Sequence, residues 1–256
     1  MIYTDIFDTH SHYDDEQFNE DRDNLLSSLS EKGVINVINC GCSLSSSLRS
    51  VELSEKYDFI YAAVGVHPED ANDVTEADFE QIEKLYSKDK VVAVGEIGLE
   101  YHYDFVPKEK QIAVFERQLK LANELDLPVI VHDREAHEDT MKLLKKYKPK
   151  GVLHCFSGSV ETAKEVLSLG MYIGLGGAVT FKNAKKPLEV AAMIPDDRLL
   201  LETDCPYMAP VPFRGKRNDS SLIAYVAEKL AEVRGCDTQE LITKCKENAE
   251  RLFFSK

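Results

Sequence analysis

Eight short apolar runs of strand length, separated by longer stretches with helical spacing of apolar and charged residues, constrain this chain more than any other feature. The runs are Ile2 to Asp8, Val34 to Asn39, Phe59 to Val64, Val91 to Glu96, Val129 to His132, Val152 to Cys155, Tyr172 to Leu175 and Leu199 to Leu201. Between and after them, helices are predicted near 19–32, 43–56, 75–88, 108–126, 134–147, 159–169, 185–193 and 219–233, with one more near 238–253. Eight βα repeats in a chain of 256 residues predict an α/β fold, a (β/α)8 TIM barrel with an extra C-terminal helix, in one domain over 1–256. A doubly wound open sheet alternates in the same way, but its first turn carries a glycine-rich phosphate loop. Here that turn reads Asp8-Thr9-His10-Ser11-His12, without glycine. No linker divides the chain; Ser43 to Ser50 reads as a polar helix face, and Ala209 to Asn218 as a long loop after the eighth strand.

Composition narrows the function. With 43% hydrophobic residues the chain can build one large core. Its 31 Lys and Arg against 45 Asp and Glu give a formal charge of -14, which excludes a protein that coats nucleic acid through its overall field. The first fifteen residues carry Asp5, Asp8, Asp14 and Asp15 and no basic region before an apolar stretch, so no secretory leader is expected. No apolar run approaches the roughly 18 residues of a membrane span. A cytoplasmic location follows as an expectation. The six cysteines read as scattered small hydrophobes in a reducing compartment, and the Cys40-Gly41-Cys42 spacing does not suit a zinc knuckle.

Five of the seven histidines, His10, His12, His67, His132 and His154, stand at or just past the C-terminal ends of predicted strands. In a TIM barrel that rim is where sites are built. Glu96 ends the fourth predicted strand and Asp204 follows the eighth, so carboxylates join the imidazoles. His10 and His12 are two apart on an extended segment and share one face. Together His10, His12, Glu96, His132, His154 and Asp204 suffice for two divalent ions with Glu96 as the bridge. His67 is expected to hold substrate or orient a water, and Glu202 to support a ligating histidine or simply pack. His102 and His137 fall in a loop and on a helix and are left out of the ligand set.

The segments Asp8-Thr9-His10-Ser11-His12, Gly65-Val66-His67-Pro68, Gly95-Glu96-Ile97-Gly98-Leu99, His154-Cys155-Phe156-Ser157-Gly158 and Glu202-Thr203-Asp204-Cys205-Pro206 resemble the TatD-type metal-dependent deoxyribonucleases. The resemblance continues through Pro212 to Asn218 and Asn248 to Phe253, in the family's order. It implies an amidohydrolase-like barrel with two divalent ions that acts on DNA, typically as a 3' to 5' exonuclease. It further implies His10, His12, Glu96 and Asp204 on one ion, and Glu96, His132 and His154 on the other. Glu100, His102 and Asp133 depart from the family's usual residues and border the site.

The expected catalytic carboxylates are Glu96, as bridge, and Asp204, as general base toward water, the latter by resemblance and by adjacency to the ions. Arg214 and Lys216, with Arg217, Lys182, Lys185 and Lys186, are candidates for phosphate contacts, and Tyr207 and Phe213 for base stacking. So small a footprint suits a strand end of DNA or RNA. Histidines admit Zn2+ or Mn2+, and carboxylates also suit Mg2+. Hydrolysis of a small amide, cyclic amide or ester on the same scaffold is the competing reading. Many related amidohydrolases bridge their metals with a carbamylated lysine, whereas this chain has Glu96. A barrel that has lost catalysis and only binds is the third reading, against which every expected ligand is present.

Overall fold

The computed structural model describes residues 3–255; Met1, Ile2 and Lys256 lie outside them, and with Ile2 the first residue of the first predicted strand. Strands and helices alternate: β1 (Ile6–Ser11), α1 (Arg22–Ser28), β2 (Val34–Cys40), α2 (Leu44–Lys56), β3 (Ile60–Val64), α3 (Glu76–Leu85), β4 (Val91–Glu100), α4 (Lys108–Leu125), β5 (Val129–Arg134), α5 (His137–Tyr147), β6 (Gly151–Leu153), α6 (Val160–Ser168), β7 (Tyr172–Leu175), α7 (Lys185–Met193), β8 (Leu199–Leu201), α8 (Ile223–Arg234) and α9 (Thr238–Phe253). The strands form one parallel sheet in sequential order. Between its outer strands, the amide of His12 donates to the carbonyl of Cys205 (2.8 Å) and that of Asp204 to the carbonyl of His10 (2.9 Å). The seam of the expected (β/α)8 barrel is thus drawn together by backbone beside two predicted ligand segments.

Every strand contributes to one apolar cluster, through Phe7, Ile38, Ala63, Ala93, Ile130, Val152, Tyr172 and Leu200. Only the lumen of a barrel lets eight strands meet in this way. Ala249, Leu252 and Phe253 of α9 join that cluster, and Phe254 stacks on Phe7 at 5.6 Å. The extra helix therefore plugs the lumen at the N-terminal ends of the strands. Alternate positions such as Val37, Val94, Val131 and Ile173 face the helical layer in a second cluster with Phe115, Leu144 and Val226. The lumen is packed, and its open end is the C-terminal rim.

Three boundaries differ from expectation in ways that move site residues. The first strand is Ile6–Ser11, not Ile2 to Asp8. Asp5 takes a left-handed backbone (φ 62°), which interrupts the extended run, and the strand begins at the next residue, Ile6. His10 consequently lies inside β1. Glu96 does not end the fourth strand: β4 continues to Glu100, with a register shift against β5 between Val94 and Ile97. The expected helix at 134–147 starts at His137, because β5 runs on to Arg134 and pairs with the extension of β4, Gly98 against His132 and Glu100 against Arg134. The stretch 19–32 holds only α1 and a 3-10 turn at Ser30–Lys32, ending at Gly33 with φ 83°.

Candidate metal centre

A cleft of about 630 Å³ opens at the rim, lined by His12, Cys42, His67, Glu96, Glu100, Tyr103, His132, Arg134, His154, Asp204 and Tyr207, among others. Glu96 is its hub. The local register shift in β4 turns this carboxylate toward the mouth of the lumen, where its side chain is 4% exposed. Its two oxygens meet different partners. Oε2 lies 3.2 Å from His10 Nε2 and 3.4 Å from His12 Nε2. Oε1 lies 2.8 Å from His154 Nε2, 2.9 Å from His132 Nδ1 and 3.5 Å from His67 Nε2.

Asp204 completes the first set, with Oδ1 3.4 Å from His12 Nε2 and 3.7 Å from His10 Nε2. The two imidazole nitrogens are 3.0 Å apart. Donors bound tetrahedrally at about 2.0–2.1 Å from one cation stand about 3.3–3.4 Å apart, the spacing found here. The ring orientation agrees. Nδ1 of His12 donates to the carbonyl of Cys40 at 2.9 Å, which leaves Nε2 as the nitrogen that faces Glu96 and Asp204. A second set, Glu96 Oε1, His132 Nδ1 and His154 Nε2, has edges of 2.8, 2.9 and 3.2 Å. The stacked rings of His10 and His154, 3.9 Å apart, hold the sets against each other. Imidazole nitrogens and carboxylate oxygens that converge at these spacings fit cations, and each set is able to hold one.

The surroundings fix charge and orientation. Burial would neutralise Glu96, but His154, His10 and His67 around it hold its carboxyl well below the usual range. Burial drives His10 down to about 4 and His67 down to about 3, so both rings are neutral near pH 7. Nδ1 of His67 accepts from the amide of Glu69 (3.2 Å), so its neutral ring carries the proton on Nε2 and presents a donor to the cleft. His132 is opposite in kind: burial would lower it, yet hydrogen bonds to Glu100 and Glu96 push it up to about 10. Glu100 Oε2 sits 3.2 Å from His132 Nε2 and so aims Nδ1 at Glu96.

Several expectations are redistributed. Glu202 makes no hydrogen bond to a histidine; its Oε1 accepts from the amide of Cys155, while its Oε2 and His154 Nδ1 are buried without partners among the described residues. Burial pushes this carboxyl up to about 8. The work of orienting a ring falls to Glu100 instead. Arg214 and Lys216 line a neighbouring depression that shares only Tyr207 with the cleft, and Arg214 stacks on Phe181 at 4.2 Å. Arg217 is paired with Asp21, and Lys182, Lys185 and Lys186 do not line the cleft. Phe213 packs edge-on against Tyr225 of α8 (5.0 Å), whereas Tyr207 stays half exposed at the cleft. His102 pairs with Glu135 and His137 with Asp133, both away from Glu96.

The cations inside the cleft are Arg49 and Arg134, neither singled out from sequence. Arg134 was hidden by ending the fifth strand at His132; one more pleat places it on the same face. Cys42, read as a bystander, has its thiol 3.8 Å from Glu96 Oε2 and from His12 Nδ1.

A family model described as TatD related DNase matches residues 7–254. The chain belongs to that family. It is 47% identical to the uncharacterized metal-dependent hydrolase YabD of Bacillus subtilis over 251 residues, 97% of this chain and 98% of that one. It is 35% identical over 260 residues to the 3'-5' ssDNA/RNA exonuclease TatD of Cronobacter sakazakii, covering 97% and 98% of the two chains. The crystal structure of the TatD homologue YJJV from Escherichia coli superposes with a TM-score of 0.93 at 36% identity over 100% of both chains. Membership in the TatD-related family joins the donor cluster to a hydrolase lineage, and among the described residues no helix is long and apolar enough to cross a membrane.

Proposed function

We propose that this TatD-related chain is a metal-dependent deoxyribonuclease that hydrolyses phosphodiester bonds at the 3' end of single-stranded DNA, and of RNA, using two divalent cations. The observation that carries the reading is Glu96, whose two oxygens each serve a different donor set at the rim. Divalent cations held there would lower the pKa of water and screen the charge of the phosphodiester, the two obstacles to its hydrolysis. Asp204, 20% exposed where the other carboxylate of the centre is covered, is the base that accepts the proton of the attacking water. His67 Nε2–H donates to a phosphoryl oxygen or to that water, and Arg134 reaches the neighbouring phosphate.

The cleft wall supports a strand end rather than a long duplex. Asp14, Asp15, Glu16, Glu69 and Asp70 line it besides the central carboxylates, against only two arginines. A polyanion is repelled everywhere except at the loaded centre. The test uses chelator-stripped protein, a 5'-labelled single-stranded oligonucleotide, and Mg2+, Mn2+ or Zn2+ restored separately, with Asp204→Ala protein as contaminant control. A metal-dependent ladder shortening from the 3' end, absent from the control, is expected. Inertness on DNA and RNA with all three metals overturns the reading and turns attention to small esters and cyclic amides.

A further inference from the structure

The loop between β4 and α4 carries two aromatic rings that the core does not use. Phe105 is 73% exposed and Tyr103 40% exposed. The rings lie parallel, 7° apart in plane, with centroids separated by 5.2 Å. On the cleft side the guanidinium of Arg134 stands 5.0 Å from the Tyr103 centroid, and His102 meets the same ring edge-on at 4.8 Å. Guanidinium, phenol and phenyl thus form a column that starts in the metal cleft, where Arg134 and Tyr103 are lining residues, and ends on an uncovered ring.

The loop is held firmly from beneath. The buried amide of Gln111 accepts from the amide of Glu100 (2.9 Å) and donates to the carbonyls of Glu100 (2.9 Å) and Val106 (3.0 Å). Both ends of the segment are pinned by one side chain, so the rings are presented to solvent by an ordered base. Solitary exposed hydrophobics need no explanation, but a stacked pair in register with a guanidinium beside a catalytic cleft has the form of a base-stacking surface.

We propose that Tyr103 and Phe105 are the stacking platform for one nucleobase of the single-stranded substrate, with Arg134 contacting an adjoining phosphate; this rests on the nuclease reading above. Stacking on a ring face accepts any base, so the platform gives grip without sequence preference. It also supplies attraction that the acidic cleft wall denies to a polyanion.

The test pairs a protein change with a substrate change. Phe105→Ala and Phe105→Trp proteins, each with Mn2+, are assayed on a 5'-labelled oligonucleotide and on copies carrying one abasic sugar moved stepwise from the 3' end. Equilibrium binding of the same strands to Asp204→Asn protein, with and without Phe105→Ala, provides a readout independent of turnover. Loss of one base–aromatic stack is expected to raise KM and Kd by about five- to a hundredfold, with kcat moved less. That penalty should vanish for the strand whose abasic sugar falls at the platform, and Phe105→Trp should retain wild-type affinity. Equal penalties on intact and abasic strands at every position, or Trp as damaging as Ala, overturn the platform while leaving the nuclease reading standing. A wild-type protein inert on every strand overturns both.

Discussion

Replacing Glu96 by Gln isolates what the carboxylate does as a bridge. The amide has the carboxylate's shape, so packing around a side chain that is 4% exposed is retained. The change falls on both donor sets, because Oε2 faces His10 and His12 while Oε1 faces His132 and His154. An amide offers one acceptor oxygen and turns two N–H donors toward the other set, and the negative charge is gone. Losing an orienting neighbour of a ligand costs up to about 100-fold in metal affinity, so losing the shared ligand should cost at least about that much. At a metal concentration one hundred times the wild-type Kd, binding at one site stabilises the wild type by about 2.7 kcal/mol. For a chain of this length that is about 5–10 °C in Tm. The Gln protein at the same concentration reaches half-saturation at most and gains about 0.4 kcal/mol, or about 1 °C. Scanning calorimetry of chelator-stripped proteins with metal restored, together with metal analysis after gel filtration, reads both quantities. A full wild-type shift and unchanged metal content in the Gln protein would refute the bridging role.

Three further outcomes follow from the same geometry. Asp204→Ala or His132→Ala should remove hydrolysis while the circular dichroism spectrum stays that of the barrel, because rim residues carry function and not the core; wild-type turnover in either protein contradicts the site. Glu100→Gln should weaken metal binding about 10- to 100-fold by releasing His132 Nε2 from its carboxylate, and isothermal titration with Zn2+ that finds wild-type affinity would remove that role. Glu202 has its carboxyl pushed up by burial from 4.5 to about 8, so the metal-free folded state holds a proton that the unfolded chain releases. Its contribution therefore favours folding below about pH 4.5 and is lost as pH rises to about 8. Urea midpoints across that window should fall less steeply for Glu202→Gln than for wild type, and identical slopes would count against the assignment.

Much of the site was legible because its residues sit where local patterns change. The order and number of βα units follow from periodicity, and in a barrel the ends of strands converge whatever their distance in sequence. His12, His132, His154 and Asp204 could be gathered on that basis alone. Glu96 was gathered for a reason that does not hold, since β4 continues past it; a register shift, not a strand end, aims it. The extension of β4 and β5 is a pairing of two segments more than thirty residues apart, and neither segment by itself carries that information. Arg134 was missed with it, and Glu100 was placed at the border of the site without a partner.

The sequence by itself determined the βα repeat and which histidines and carboxylates are candidate donors, because apolar spacing and residue chemistry are properties of short segments. Only the tertiary structure decided what each donor meets. Glu100 rather than Glu202 orients a ring, the carbonyl of Cys40 turns Nε2 of His12 to the site, and Phe213 is spent on Tyr225 of α8 while Tyr103 and Phe105 remain open. These outcomes depend on distances of a few ångströms between segments remote in the chain, where burial and hydrogen bonding act and periodicity has nothing to say.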